Sequence, residues 1–138
     1  MPIVSTFMYC EQVQNNFQTN KLEISTPLHV LTPPSIPSAY SFSIVFGILG
    51  LDNHRINKIR IILLSPNEEV AFDTEDNLVI EKNGDLDVLP VAARGFIANM
   101  DLRNVLFNRE GMYVTRVLIN HEIIGEYPIY VWAGDKND

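Results

Sequence analysis

The residues Gly111-Met112-Tyr113-Val114-Thr115-Arg116-Val117-Leu118-Ile119 alternate as a β-strand does. Asn120-His121-Glu122 is a polar turn, and residues 123–132 run back as a second strand. A Gly-x-Tyr entry, a short turn and a return strand containing Pro128 read as the closing hairpin of an antiparallel β-sandwich. This argues against a Rossmann or other doubly wound enzyme, whose strands alternate with helices. Pro128 cannot donate to a ladder, so its strand is expected at an edge or bulged there.

The same period of two recurs upstream. In residues 40–49, Phe42, Ile44, Phe46 and Ile48 share one face and Ser43, Val45, Gly47 and Leu49 the other. Both faces are mostly apolar, which predicts a central strand. In residues 56–64, Ile59, Ile61 and Leu63 oppose Lys58 and Arg60. In residues 95–103, Phe96, Ala98, Met100 and Leu102 are expected inward and Ile97, Asn99, Asp101 and Arg103 outward. Residues 3–10 and 22–30 read as further strands, 69–73 and 78–82 as short ones, and 86–90 as irregular or a short edge segment. The Gln- and Asn-rich stretch 11–20 is expected to be a loop. Pro33, Pro34 and Pro37 make a rigid crossover. The expectation is all-β: one antiparallel sandwich over 1–138, immunoglobulin-like or C2-like, with about seven to nine strands.

Composition narrows the partners. The chain of 138 residues is the size of one domain and long enough to bury a core without staples. A net charge of −7 repels phosphate backbones, so no nucleic acid is expected. The longest apolar stretch, residues 42–51, is too short for a membrane helix, so no membrane is expected. Cys10 is the single cysteine and no basic segment followed by an apolar one is read at residues 1–6, so a cytoplasmic setting is expected.

An N-terminal strand ending in Cys10-Glu11, a variable loop, the proline crossover, a charge-Ile-x-Ile segment and the Gly-x-Tyr hairpin resemble a family of small uncharacterised bacterial β-sandwich proteins, a domain of unknown function. The resemblance spans nearly the whole chain. It implies an immunoglobulin-like or C2-like sandwich and supplies no activity. The chain departs from it in a longer Asn- and Gln-rich loop at residues 14–20.

Catalytic signals are sparse. Cys10 with His29, His54 or His121 would make a thiol–imidazole pair, but a strand cysteine is ordinarily an unreactive packed thiol. The histidines lack close metal-ligand spacing. Asp73, Glu75 and Asp76 form one acidic group and Asp85 and Asp87 another, separated by a strand, and both read as solvated turn carboxylates. No cofactor is expected. The remaining feature is the aromatic cluster Tyr127, Tyr130 and Trp132 on the expected edge strand, a candidate contact surface for a protein partner or for self-association. The sequence thus specifies an architecture and no activity. It favours a non-catalytic protein-interaction or accessory module. The alternatives are a small hydrolase using Cys10 or an acidic cleft, and a structural component of a phage or other assembly.

Overall fold

The computed structural model describes residues 1–134, and the last four positions of the expected 1–138 domain lie outside the described residues. Two sheets face one another. The first contains β1 (Ile3–Asn16), β2 (Lys21–Leu28), β4 (Ser38–Leu49) and β8 (Gly95–Phe107) in the order β2-β1-β4-β8. The second contains β3 (Val30–Leu31), β10 (Glu122–Val131), β9 (Gly111–Ile119), β5 (Asn57–Leu64) and β6 (Val70–Asp73) in the order β3-β10-β9-β5-β6, and β7 (Leu78–Ile80) also pairs with β5. Every pairing is antiparallel except that of β3 with β10. The all-β sandwich expected from the sequence is borne out, with ten described strands rather than seven to nine. The very short β3 accounts for one of the additional strands.

Alternation builds the core. Phe42, Ile44, Phe46 and Ile48 of β4 meet Ile59, Ile61 and Leu63 of β5 and Tyr113, Val117 and Ile119 of β9 in one buried cluster. Ser43 and Val45 are buried too, because β4 lies between β1 and β8. Residues 86–90 are irregular rather than an edge strand: 86–88 end one 3-10 turn and Leu89-Pro90 link it to the next. β8 runs past Arg103 to Phe107, taking up an irregularity opposite Tyr40 and Phe42.

The stretch 11–20 corrects the sequence reading. β1 continues to Asn16, and only residues 17–20 turn. β1 pairs with β4 no further than Cys10–Ser43, whereas its pairing with β2 runs on to Asn16–Lys21. The ribbon therefore projects beyond the first sheet with water on both faces, so the β1 half of it, residues 11–16, is polar and carries no alternating signal, whereas β2 was expected as a strand and is one. The Asn16 side chain accepts hydrogen bonds from the Gln18 and Thr19 amides and fixes the turn.

One side chain ties the two sheets together. The hydroxyl of Tyr9, from β1, lies 2.6 Å from the Thr115 hydroxyl of β9 and donates to the Tyr127 carbonyl of β10 at 2.7 Å. Burial pushes the Tyr9 phenol well above its ordinary value, against the opposing effect of the Thr115 hydrogen bond.

Candidate interaction surface

The outward positions of the second sheet form a patch that strand order alone assembles. Register places Pro128 of β10, Val114 of β9, Leu64 of β5 and Val70 of β6 in one row across the sheet. Tyr130 stands opposite Met112 in the next row, with Trp132 beyond it. Tyr130 is 43% exposed, Trp132 53%, Met112 50% and Val70 60%. On the other flank the row Glu126–Arg116–Ile62–Asp73 crosses the sheet. Its charges are internally matched, since Arg116 pairs with Glu126 at 3.2 Å and Arg60 with Asp73 at 2.6 Å. Arg60 holds the Asp73 carboxyl below its ordinary value, chiefly through that hydrogen bond.

Two of the three aromatics singled out from the sequence belong to this patch, and Tyr127 does not. It shares the inward face with Ile129 and Val131, is half-buried, and stacks on Phe7 with centroids 4.3 Å apart. Gly125, beside the irregularity between Ile123 and Gly125, leaves room for its ring; a β-carbon there would overlap it.

The edge itself offers little main chain. The Trp132 amide donates to the Leu31 carbonyl at 3.0 Å. Alternation therefore turns the main-chain groups of Tyr130, Pro128 and Glu126 to that same side. β3 occupies the Tyr130–Val131 position. Pro128 brings no N–H, and the strand becomes irregular before Gly125. An edge so blunted resists strand addition. Side chains, rather than the ladder, are what this surface presents.

The candidate catalytic groups are dispersed. Cys10 is fully buried and its thiol donates to the Ser43 carbonyl at 3.6 Å. Burial first, and the Asp101 charge second, raise its pKa, which disfavours a nucleophilic thiolate. His54 lies at the opposite end of the sandwich, 2.8 Å from Asp87. His121 occupies the β9–β10 turn, and His29 separates β2 from β3. Asp87 also accepts from the Asn53 amide at 2.9 Å, and that bond, with the His54 and Arg94 charges, holds its carboxyl below the ordinary value. Arg94 reaches the Leu89 carbonyl at 3.1 Å. This network pins the 84–94 excursion to the 51–57 turn and lines a polar cleft of about 530 Å³ bounded by Asn53, Asn57, Arg94 and Asn120. Its buried side chains are partnered: Asn57 donates to the Asp52 carbonyl and accepts from Asn120. Among the described residues no group of three His, Cys, Asp or Glu side chains is placed to hold a metal ion. Among the described residues no helix is long and apolar enough to cross a membrane.

The sequence reading missed Met112, Val114, Leu64 and Val70. Parity along each strand marks them as outward, but only register brings them beside Tyr130.

No curated protein matches the chain. Among solved structures it is similar to an immunoglobulin-like protein from Pseudomonas aeruginosa, with 10% identity, 96% of this chain and 97% of that chain covered, and a TM-score of 0.40. It is also similar to the Pseudomonas fluorescens alkylpurine DNA glycosylase AlkC bound to DNA containing an abasic site analog, with 11% identity and a TM-score of 0.41, covering 91% of this chain and 30% of that one. Likenesses this remote carry no chemistry across. A model described as a family of unknown function, DUF6941, matches residues 5–132, and the chain belongs to that family.

Proposed function

We propose that the protein is a non-catalytic protein-binding module of a reducing compartment, such as a bacterial cytoplasm. In this reading it holds a basic-rimmed protein partner on the outer face of β10, β9, β5 and β6. The contiguous patch from Trp132 to Val70 carries the proposal. With roughly half of each large side chain left in water, the patch measures on the order of 400 Å², where a standard interface takes about 800 Å² from each partner. The polar rim must supply the rest. That rim carries Glu68, Glu69 and Glu110 against Arg109, and Glu110 reaches the chain beside Trp132 through the Ala133 amide at 2.9 Å. A second copy on this face would set those carboxylates against their own kind, whereas a partner with an apolar centre and basic rim complements them. The buried, raised-pKa thiol and the scattered histidines support the non-catalytic part.

Site-specific photo-crosslinking in the native host tests this. A photoreactive residue at Met112 is expected to give one dominant adduct with a protein whose contact face is basic. The same probe at Asn99, on the other sheet, is expected to give none. Tyr130→Lys should abolish the adduct with the melting temperature unchanged, and added salt should weaken it. Equal adducts from both positions, an adduct of two copies of this chain, or no adduct at either position overturns the proposal.

A further inference from the structure

Tyr130 and Trp132 lie two residues apart, so alternation sends both rings to the outer face of the second sheet. Tyr127, on the inner face, stacks on Phe7. Among the described residues, Tyr130 and Trp132 stack on no ring and hold no cation. Scattered surface aromatics are ordinary. Their neighbours set these two apart. Met112 pairs across from Tyr130 and is half exposed. One step beyond the Val131–Gly111 pair, the register brings Glu110 opposite Trp132. Its Oε2 accepts from the Ala133 amide at 2.9 Å, which fixes the carboxylate beside Trp132.

Glu110 keeps hydrogen-bonding capacity to spare. An ionised carboxylate accepts at about four lone-pair positions, and the Ala133 bond takes one. Among the described residues Glu110 enters no ion pair, and Arg109, next to it in sequence, pairs with no carboxylate. The place therefore offers two aromatic faces, each negative over its ring, a thioether and an unpaired anion. An aliphatic or aromatic side chain laid here would strip water from the carboxylate and replace none of its hydrogen bonds. A guanidinium satisfies every part. Its plane stacks on an indole or phenol ring, its N–H groups bond a carboxylate, and its stem covers apolar surface such as Met112. An ammonium brings the charge without the plane.

We propose that an arginine side chain anchors the protein partner at this end of the patch, an inference that rests on the reading of the face as a partner surface. The guanidinium lies on Trp132 and Tyr130 and donates to Glu110, with its stem along Met112. The basic rim of the partner thus narrows to one residue type at one place, where the end of β10 meets the start of β9.

The chain has one tryptophan, so Trp132 reports on its own surroundings. The full chain is titrated with the peptide acetyl-Arg-Leu-Arg-amide, and with the same peptide carrying citrulline for arginine, which keeps the plane and loses the charge. Trp132 fluorescence and its indole N–H signal in proton–nitrogen NMR spectra are followed. The arginine peptide should give a saturable change in the millimolar range, and the citrulline peptide should bind at least about threefold more weakly. Glu110→Gln keeps an acceptor for the Ala133 amide and drops the charge. It should weaken the arginine peptide by about threefold and leave the citrulline peptide unaffected, with circular dichroism as the fold control. Equal binding of the two peptides, the result for an apolar occupant, overturns the proposal. So does an arginine titration indifferent to Glu110→Gln, or no saturable change below roughly 50 mM peptide. Trp132 fluorescence that shifts with protein concentration alone means that a second copy covers the rings, and it overturns the proposal too. A Met112 adduct in the host with these titrations negative removes the anchor and leaves the partner surface standing, whereas no adduct at either position removes both.

Discussion

Replacing Tyr9 by Phe removes one oxygen and tests how the two sheets are held together. The phenol sits between the Thr115 hydroxyl, 2.6 Å away, and the Tyr127 carbonyl, 2.7 Å away. Because Tyr9 donates to the carbonyl, Thr115 donates to Tyr9. Phe keeps the ring and its packing, so the loss is confined to two hydrogen bonds and the partners they leave behind. Each bond is worth about 1 kcal/mol net, and a buried group left unpaired adds to that, so the expected cost is about 2–3 kcal/mol. For a domain of this size that lowers the melting temperature by roughly 6–10 °C. Thr115→Val in the same background removes the orphaned hydroxyl, so the double variant should be more stable than the sum of the two single losses predicts. The phenol's raised pKa adds a second signature. A phenol that ionises less readily folded than unfolded stabilises the fold fully below the ordinary value of 10 and loses that contribution as pH rises through the folded value. The parent should therefore lose stability steeply above pH 10, and Tyr9→Phe less steeply. Thermal melts from pH 7 to 11 read both effects. A shift under 2 °C at pH 7, or strict additivity with Thr115→Val, would refute the reasoning.

Three further outcomes follow from the same geometry. A β-carbon at position 95 would overlap the Ile48 carbonyl, so Gly95→Ala should cost about 2–3 kcal/mol in urea unfolding by forcing β8 away from β4. Cys10 should react with iodoacetamide at least about a hundredfold more slowly in the native protein than in urea, because the folded thiol is covered and its pKa is raised, chiefly by burial. Asp73, held low by Arg60, stabilises the fold above the ordinary carboxyl value of 3.8 and gives that up as pH falls through its folded value; Asp73→Asn should flatten the acid limb of a pH–stability curve.

The parts of the fold legible in the sequence were those where one face meets the core and the other meets water or a neighbour. Ile59 to Leu63 and Tyr113 to Ile119 announce themselves because burial selects every second residue, and Phe42 to Ile48 because burial of both faces leaves a mostly apolar run. The β1 half of the ribbon, residues 11–16, hid because water on both faces selects nothing, and Gln14, Asn15 and Asn16 then look like a loop. Within β10 the alternation was present but overridden: Tyr127 falls in step with Ile129 and Val131, not with Tyr130 and Trp132, and grouping the three by chemistry concealed it. The patch itself was beyond reach, since Val70 and Pro128 become neighbours only through the order β10-β9-β5-β6.

The two-residue strand β3 has a consequence for synthesis. Val30 and Leu31 leave the ribosome 100 positions before Tyr130 and Val131, the residues they pair with. Tyr9 waits longer still for Tyr127, at a separation of 118. Until β10 arrives, the first sheet is complete and faces a second sheet of β9, β5, β6 and β7 that still lacks Ile129 and Val131. That last strand adds both side chains to the shared core and gives β3 its only pairing among the described residues. A truncation that removes β10 should therefore leave an incompletely closed sandwich, a client for chaperones and proteases instead of a smaller domain.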